Sequence, residues 1–169
     1  MVKSKLPTAV IDNTLLSRLT RLEKIIESLP YIFARILIPV EVKEEAFKGP
    51  NKNRLRNLLN HKPDFFLICK HDDFLVKELL KELLDVGEAS VIAQAEYTRS
   101  AVIIDERKGR EEAKNREIQV FSTTKILCLM KELGLIDEVR PILDQLIKMR
   151  FYLKKVDYLT VLKEVREID

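Results

Sequence analysis

The chain is poor in several residue types, and each shortage excludes something. Glycine occupies only four of 169 positions, and neither GxGxxG nor GxxxxGK[ST] occurs, so a glycine-rich phosphate loop for a nucleotide cofactor is excluded. Tryptophan is absent, and histidine occurs twice, at His61 and His71, both flanking one short apolar run. With no GxSxG elbow, a nucleophilic triad does not assemble, and both histidines read as surface or loop residues. The two cysteines, Cys69 and Cys128, form no CxxC pair and no disulfide framework; both sit in apolar surroundings, as small buried hydrophobes do. No apolar run approaches the ~20 residues that span a bilayer. The opening MVKSKLPTAV has two lysines but no apolar core of a signal, so neither a membrane nor a secretory address is expected, and the cytoplasm is the default compartment.

What is present is a soluble, globular composition: 46% apolar and 34% charged residues. The length suits one domain over 1–169 with a sizeable core. The net charge of +3 permits a polyanionic partner without requiring one. Its distribution says more. Residues 48–62 (KGPNKNRLRNLLNHK) hold five Lys/Arg and a His with no acid, which is either a solvated helix face or a surface for a polyanion.

Short apolar runs at 9–11, 36–38, 65–68, 101–104 and 118–121 are hydrophobic on both faces, as parallel strands covered on both sides require. Helical spacing fills the intervals. Leu15, Leu16, Leu19, Leu22, Ile25 and Ile26 make one stripe, which Pro30 closes. Val76, Leu79, Leu80, Leu83 and Leu84 make a second; Ala89, Ile92, Ala93 and Tyr97 make a third, with small residues that allow close packing on a sheet. Beyond Ser122 the pattern is helical, with stripes at Ile126/Leu127/Met130, Val139/Ile142/Leu143/Leu146 and Leu159/Leu162/Val165. Gly134 marks a turn, and Pro141 stands early in the next helix. The series predicts a three-layer α/β/α fold: a short, mainly parallel central sheet of about five strands, with a helical C-terminal tail.

In parallel sheets, chemistry gathers at the C-terminal ends of strands. Asp12 follows the first run directly; Asp105 and Glu106 follow the fourth. Glu45, in IPVEVKEEA, and Glu88, in DVGEASVIA, fall near helix starts. Each acid alone has a bland explanation: Asp12 as an N-cap, Glu88 as a partner of a helix dipole, Glu45 as an exposed residue. Their order along the βα series, two of them at strand ends, points to a shared acidic pocket. An all-oxygen pocket without usable His or Cys suits Mg²⁺ or Mn²⁺ rather than Zn²⁺.

Several stretches together resemble the PIN-domain family, and specifically a prokaryotic PIN-like subfamily predicted to bind nucleic acid and related to toxin ribonucleases. They are Asp12-Asn13-Thr14 after the first strand; Ile38, Pro39, Val42 and Glu45 in an I-P-x-x-V-x-x-E segment; and Gly87-Glu88-Ala89. Asp105, Glu106, Arg107, Arg110 and Ala113 follow, and the ending GLIDEVRPILDQLIKMRFYL is the most specific part. The similarity spans nearly the whole chain. Asn13 stands where the family has a small hydroxyl residue, with Thr14 carrying the hydroxyl one position later; Ser122 stands in place of a glycine, and Glu88 in place of a frequent Asp. The resemblance implies a metal-dependent ribonuclease in which Asp12, Glu45, Glu88 and Asp105 hold one or two Mg²⁺/Mn²⁺ ions, with Glu106 replacing or assisting Asp105. It also implies that Thr14 bonds a phosphate oxygen or orients Asp12, and that Lys52, Arg54, Arg56, Arg107 and Arg110 contact the RNA backbone. A toxin role with an antitoxin partner, and a homodimer, are further expectations of it. A non-catalytic module binding RNA or protein through the same surface is the alternative. Two other classes fit less well. A receiver domain needs an Asp where FFLICKH has Cys69 and Lys70, and a dehalogenase-type phosphatase needs a second acid that Asp12-Asn13-Thr14 lacks.

Overall fold

The computed structural model describes residues 8–70, 73–81 and 84–169; His71, Leu83 and the two N-terminal lysines lie outside the described residues. The chain divides into two compact units, Met1–Phe121 and Ser122–Asp169. The first carries the sheet. Its order is β1 (Ala9–Ile11), α1 (Asn13–Leu19), α2 (Glu23–Ile32), β2 (Ile36–Pro39), α3 (Val40–Lys48), α4 (Lys52–His61) and β3 (Phe66–Cys69). Then come α5 (Asp73–Leu80), α6 (Val86–Thr98), β4 (Ala101–Ile103), α7 (Arg107–Asn115) and β5 (Val120–Phe121).

All strand pairings are parallel, in the order β3-β2-β1-β4-β5. Every residue of β1, β2 and β4 is buried, so helices cover both faces of the central sheet and the fold is three-layered α/β. The apolar-on-both-faces runs in the sequence have this cause. At the edge, β3 is only partly covered, and Ile68 is exposed. Helix α6 is buried over nearly its whole circumference, including Ser90 and Gln94, and packs on β1, β2, β4, α3, α5 and α7. Its alanines make that possible. Tyr97, expected on the buried stripe, is instead exposed near the helix end.

The apolar stripe from Leu15 to Ile26 is not one helix. Thr20 ends α1, and Leu22 leaves helical geometry at φ −123°, ψ 80° before α2 begins. Leu22 is nonetheless buried, so the apolar spacing runs on through the break and does not register it. Pro30 does not close this segment. It lies inside the last turn of α2, which continues to Ile32; so near the end, its missing N–H removes only one bond of the ladder.

The second unit consists of α8 (Thr123–Glu132), α9 (Arg140–Lys148) and α10 (Lys155–Glu164). Ser122 caps α8 through its hydroxyl, and Pro141 lies in the first turn of α9. Leu143, Leu146, Val161 and Leu162 are buried, whereas Leu159 is exposed. The start of α9 is held by a carboxylate. Glu167 accepts from the Val139 N–H (2.5 Å), the Arg140 N–H (2.8 Å) and Lys131 Nζ (2.7 Å). Burial pushes this carboxyl up, but the three donors outweigh it and hold its pKa below the ordinary glutamate range.

The glycine shortage has a visible consequence. Among the described residues, five helix ends turn through positive φ, and only Gly134 is a glycine; Arg99, Glu117, Arg150 and Arg166 take the others. Each non-glycine carries the left-handed penalty of roughly 1–2 kcal/mol.

Candidate functional site

From β1 the chain winds outward through β2 to β3, and from β4 in the other direction to β5. The crevice at the C-terminal ends of β1 and β4 is therefore the switch point of the sheet, where open α/β folds bind ligands. Ile11 pairs with Ile103, and the Asp12 N–H donates to the Ile103 carbonyl at 3.2 Å, so Asp12 sits at this crevice. Helix α6 leads into β4 and so runs against the strand direction, which brings its first turn to the same edge.

Asp12 is the N-cap of α1: its Oδ1 accepts the Leu15 N–H at 2.6 Å. It is also almost out of contact with water, at 6% exposure. Burial is the main force lifting its pKa to about 7, and the Asp105 and Glu88 charges add to it. The Leu15 N–H and Arg18 oppose the rise without cancelling it. Capping and pocket membership are thus held by one side chain.

Glu88 is divided in the same way. Asp85 and Glu88 form a capping box at the start of α6: Asp85 Oδ1 accepts the Glu88 N–H (2.7 Å), and Glu88 Oε2 accepts the Asp85 N–H (3.1 Å). The other oxygen, Oε1, is buried with no hydrogen-bond partner. Burial raises the Glu88 pKa, and the negative charges of Asp85 and Glu106 act with it, against the Asp85 N–H and the Lys108 charge.

Glu45 reaches the pocket from α3. Val42, one turn earlier, is fully buried, and Glu45 projects from the exposed end of that side of the helix. Glu45 lies well inside α3 rather than at its start. Gly87 gives it room: a Cβ there would stand 3.3 Å from both Glu45 Oε2 and Asp85 Oδ1. Of the two acids after β4, Glu106 lines the pocket, at the N-cap position of α7 but making no capping bond. Asp105 is turned toward Arg18, with Nη1 to Oδ2 at 3.6 Å; it acts on Asp12 electrostatically but is not among the lining residues.

The resulting pocket has a volume of about 360 Å³ and brings together Asp12, Glu45, Glu88 and Glu106, with Asn13 and Thr14 at the start of α1. Asp85 and Lys108 also line it, and sequence reasoning had singled out neither. Asp85 had a legible signal in the D-x-x-E spacing of a capping box; Lys108 had none. Asn13 is held by the Ser17 hydroxyl, which donates to its Oδ1 at 3.1 Å.

The basic residues are distributed otherwise. Lys52, Arg54 and Arg56 are exposed on α4. The Asn51 amide, just before that helix, donates to the Ser17 carbonyl on α1 at 3.2 Å. The Arg56 guanidinium lies 5.8 Å from the centre of the half-buried Phe47 ring, and Lys43 Nζ 5.6 Å from it. Arg107 is held along α7 by Glu111 at 2.8 Å, and Arg110 is half-buried; neither lines the pocket. The cysteines are chemically quiet: burial lifts both thiols to about 11, and both are free.

The donor set is all oxygen. Among the described residues no three acidic, histidine or cysteine side chains converge into a preformed ion cage. Mg²⁺ does not ask for one, since it keeps much of its water and takes one or two carboxylates together with substrate phosphate oxygens. The orphaned Glu88 Oε1 and the desolvated Asp12 are the positions at which a hard divalent cation would relieve an existing cost.

A family model described as PIN domain matches residues 8–167. Among solved structures, PAE2754 from Pyrobaculum aerophilum is similar in fold, with a TM-score of 0.53 at 15% identity, over 76% of this chain and 96% of that one. None of the curated proteins compared with the chain matches it.

Proposed function

The chain belongs to the PIN-domain family, and from that premise we propose that it is a divalent-metal-dependent endoribonuclease working at the Asp12–Glu88 pocket. The observation that carries the reading is Glu88 Oε1, a buried carboxylate oxygen without a partner in a pocket shared with Asp12, Glu45 and Glu106. An oxygen left this way costs on the order of 1–3 kcal/mol unless something positive covers it. Asp12, Glu45, Glu88 and Glu106 are the residues that would hold Mg²⁺ or Mn²⁺, with Asp105 acting from beside Asp12. Bound there, the ion supplies charge stabilisation for the phosphodiester in the transition state and a water of lowered pKa as nucleophile.

The chain's own residues orient and attract. The Leu15 N–H fixes the Asp12 carboxylate, and the Asp85 N–H fixes that of Glu88. Thr14, exposed at the rim, donates its hydroxyl to a phosphate oxygen. Lys52, Arg54 and Arg56 draw in the strand, as do Arg110 and Arg107, whose exposed pair with Glu111 is weak enough to exchange for phosphate. A homodimer and an antitoxin complex are the assemblies this reading expects of a toxin. The exposed Tyr152 and Val156 of the second unit offer apolar surface for either.

The test is cleavage of mixed RNAs in Mn²⁺ and in EDTA, wild type against Asp12→Asn. Absence of cleavage by the wild type, together with metal stabilisation that Asp12→Asn leaves unchanged, would sink the reading. A module that binds RNA without cutting it is the second reading, favoured by the lack of a preformed three-ligand cage among the described residues. In that case RNA binds, metal does not stabilise, and nothing is cut.

A further inference from the structure

We propose that Lys108 is the pocket's own phosphate-binding cation, its ammonium holding a non-bridging oxygen of the phosphodiester. This rests on the ribonuclease reading and adds to it the residue that seats the substrate. Among the described residues, Lys108 is the only basic one lining the pocket. Arg18 pairs with Asp105, and Arg107 and Arg110, on the same helix as Lys108, do not line the pocket. The Lys108 charge also acts on Glu88, the acid with the orphaned oxygen, and opposes the rise of its pKa.

The position of Lys108 is fixed by the residue after it. A Cβ on Gly109 would collide with Ile104 Cδ1 and stand 3.3 Å from Glu88 Oε1. A glycine lets α7 come this close without displacing Ile104, so the backbone next to Lys108 lies against the pocket's buried acid while the Lys108 side chain remains exposed at the rim. The need for a cation here is electrostatic. A phosphodiester approaching Asp12, Glu45, Glu88 and Glu106 meets like charge from each, and a point-charge ammonium on a flexible stem suits a monodentate phosphate contact.

The experiment compares wild type, Lys108→Ala and Lys108→Arg in RNA cleavage with Mn²⁺, in the salt dependence of binding to a labelled oligoribonucleotide, and in Mn²⁺-dependent thermal shift. For Lys108→Ala, KM should rise about tenfold with a smaller change in kcat. The slope of log affinity against log salt should fall by about 0.7. Half-maximal Mn²⁺ stabilisation should move to lower concentration, because a competing positive charge is gone. Lys108→Arg should restore KM and the slope. A side chain with only a structural role would lower stability and move none of these. If wild type cuts RNA and Lys108→Ala matches it in KM and salt slope, the assignment of Lys108 is overturned and the ribonuclease reading stands. If wild type neither binds nor cuts RNA, the reading fails and takes this assignment with it.

Discussion

Glu167, in the helical unit, and the pair Asp12 and Glu88, in the sheet unit, are carboxylates withdrawn from bulk water to different depths. Glu167 is half-buried, whereas Asp12 and Glu88 are buried, at 6% and 8% exposure. Their pKa values move in opposite directions, Glu167 downward and the pocket acids upward. The deeper burial of the pocket acids is one part of the difference, and compensation is the other. Glu167 receives an ammonium and two backbone N–H groups, so its charge is satisfied by the fold. Asp12 receives one N–H, and Glu88 keeps one oxygen with none. What marks the pocket is burial without enough donors.

The largest test of this contrast is pH. The folded pKa of Asp12 lies above its unfolded value of 3.8, at about 7. Its protonated form is favoured by folding, so the Asp12 contribution to stability is greatest below 3.8, declines as pH rises toward 7 and is level above. Without metal, wild type should lose on the order of 4 kcal/mol relative to Asp12→Asn between pH 4 and pH 8, measured by urea unfolding in EDTA. Saturating Mn²⁺ should return much of that loss, about 2.7 kcal/mol at a hundredfold excess over Kd. Next in size, Asp12→Asn keeps the cap acceptor but should lower RNA cleavage by about 10²–10³-fold, as read in initial rates.

The opposite pole is probed by Glu167→Ala, which should destabilise the protein by about 2 kcal/mol while leaving the Mn²⁺ response intact. Its sign with pH is reversed. Glu167 has a folded pKa below 4.5, so its contribution is present above 4.5 and is lost as pH falls through the folded value. A Glu167→Ala protein whose metal response also disappeared would break the comparison. The smallest effect is expected of Gly109→Ala, about 1 kcal/mol by thermal melting, as Ile104 yields to the new methyl.

Much of the fold was legible because parallel strands covered on both faces leave unbroken apolar runs, and all five strands fall within or against such runs. Helix ends were less legible. Their usual signal is glycine, and here Arg99, Glu117, Arg150 and Arg166 occupy the left-handed positions, so only Gly134 announced a turn. The acids at strand ends were visible, but strand order was not, and the closeness of Asp12 to Glu88 depends on β1 lying beside β4. The orientation of Asp105 was also out of reach. Its partner is Arg18 on α1, a contact that no local pattern encodes, and it leaves Glu106 rather than Asp105 facing the pocket. Lys108 was hidden in a run of charges, where residues one position apart point to different surroundings.

Helix α6, enclosed by sheet and helices, is buried without interruption from Glu88 through Ala95. An element placed so centrally has no route to open by itself. Its amides should exchange with deuterium only when the whole sheet unit unfolds, more slowly than those of α4, whose only buried residue is Leu55. The pocket wall that presents Glu88 therefore behaves as a fixed post, and adjustment to a substrate falls to the exposed side chains around it.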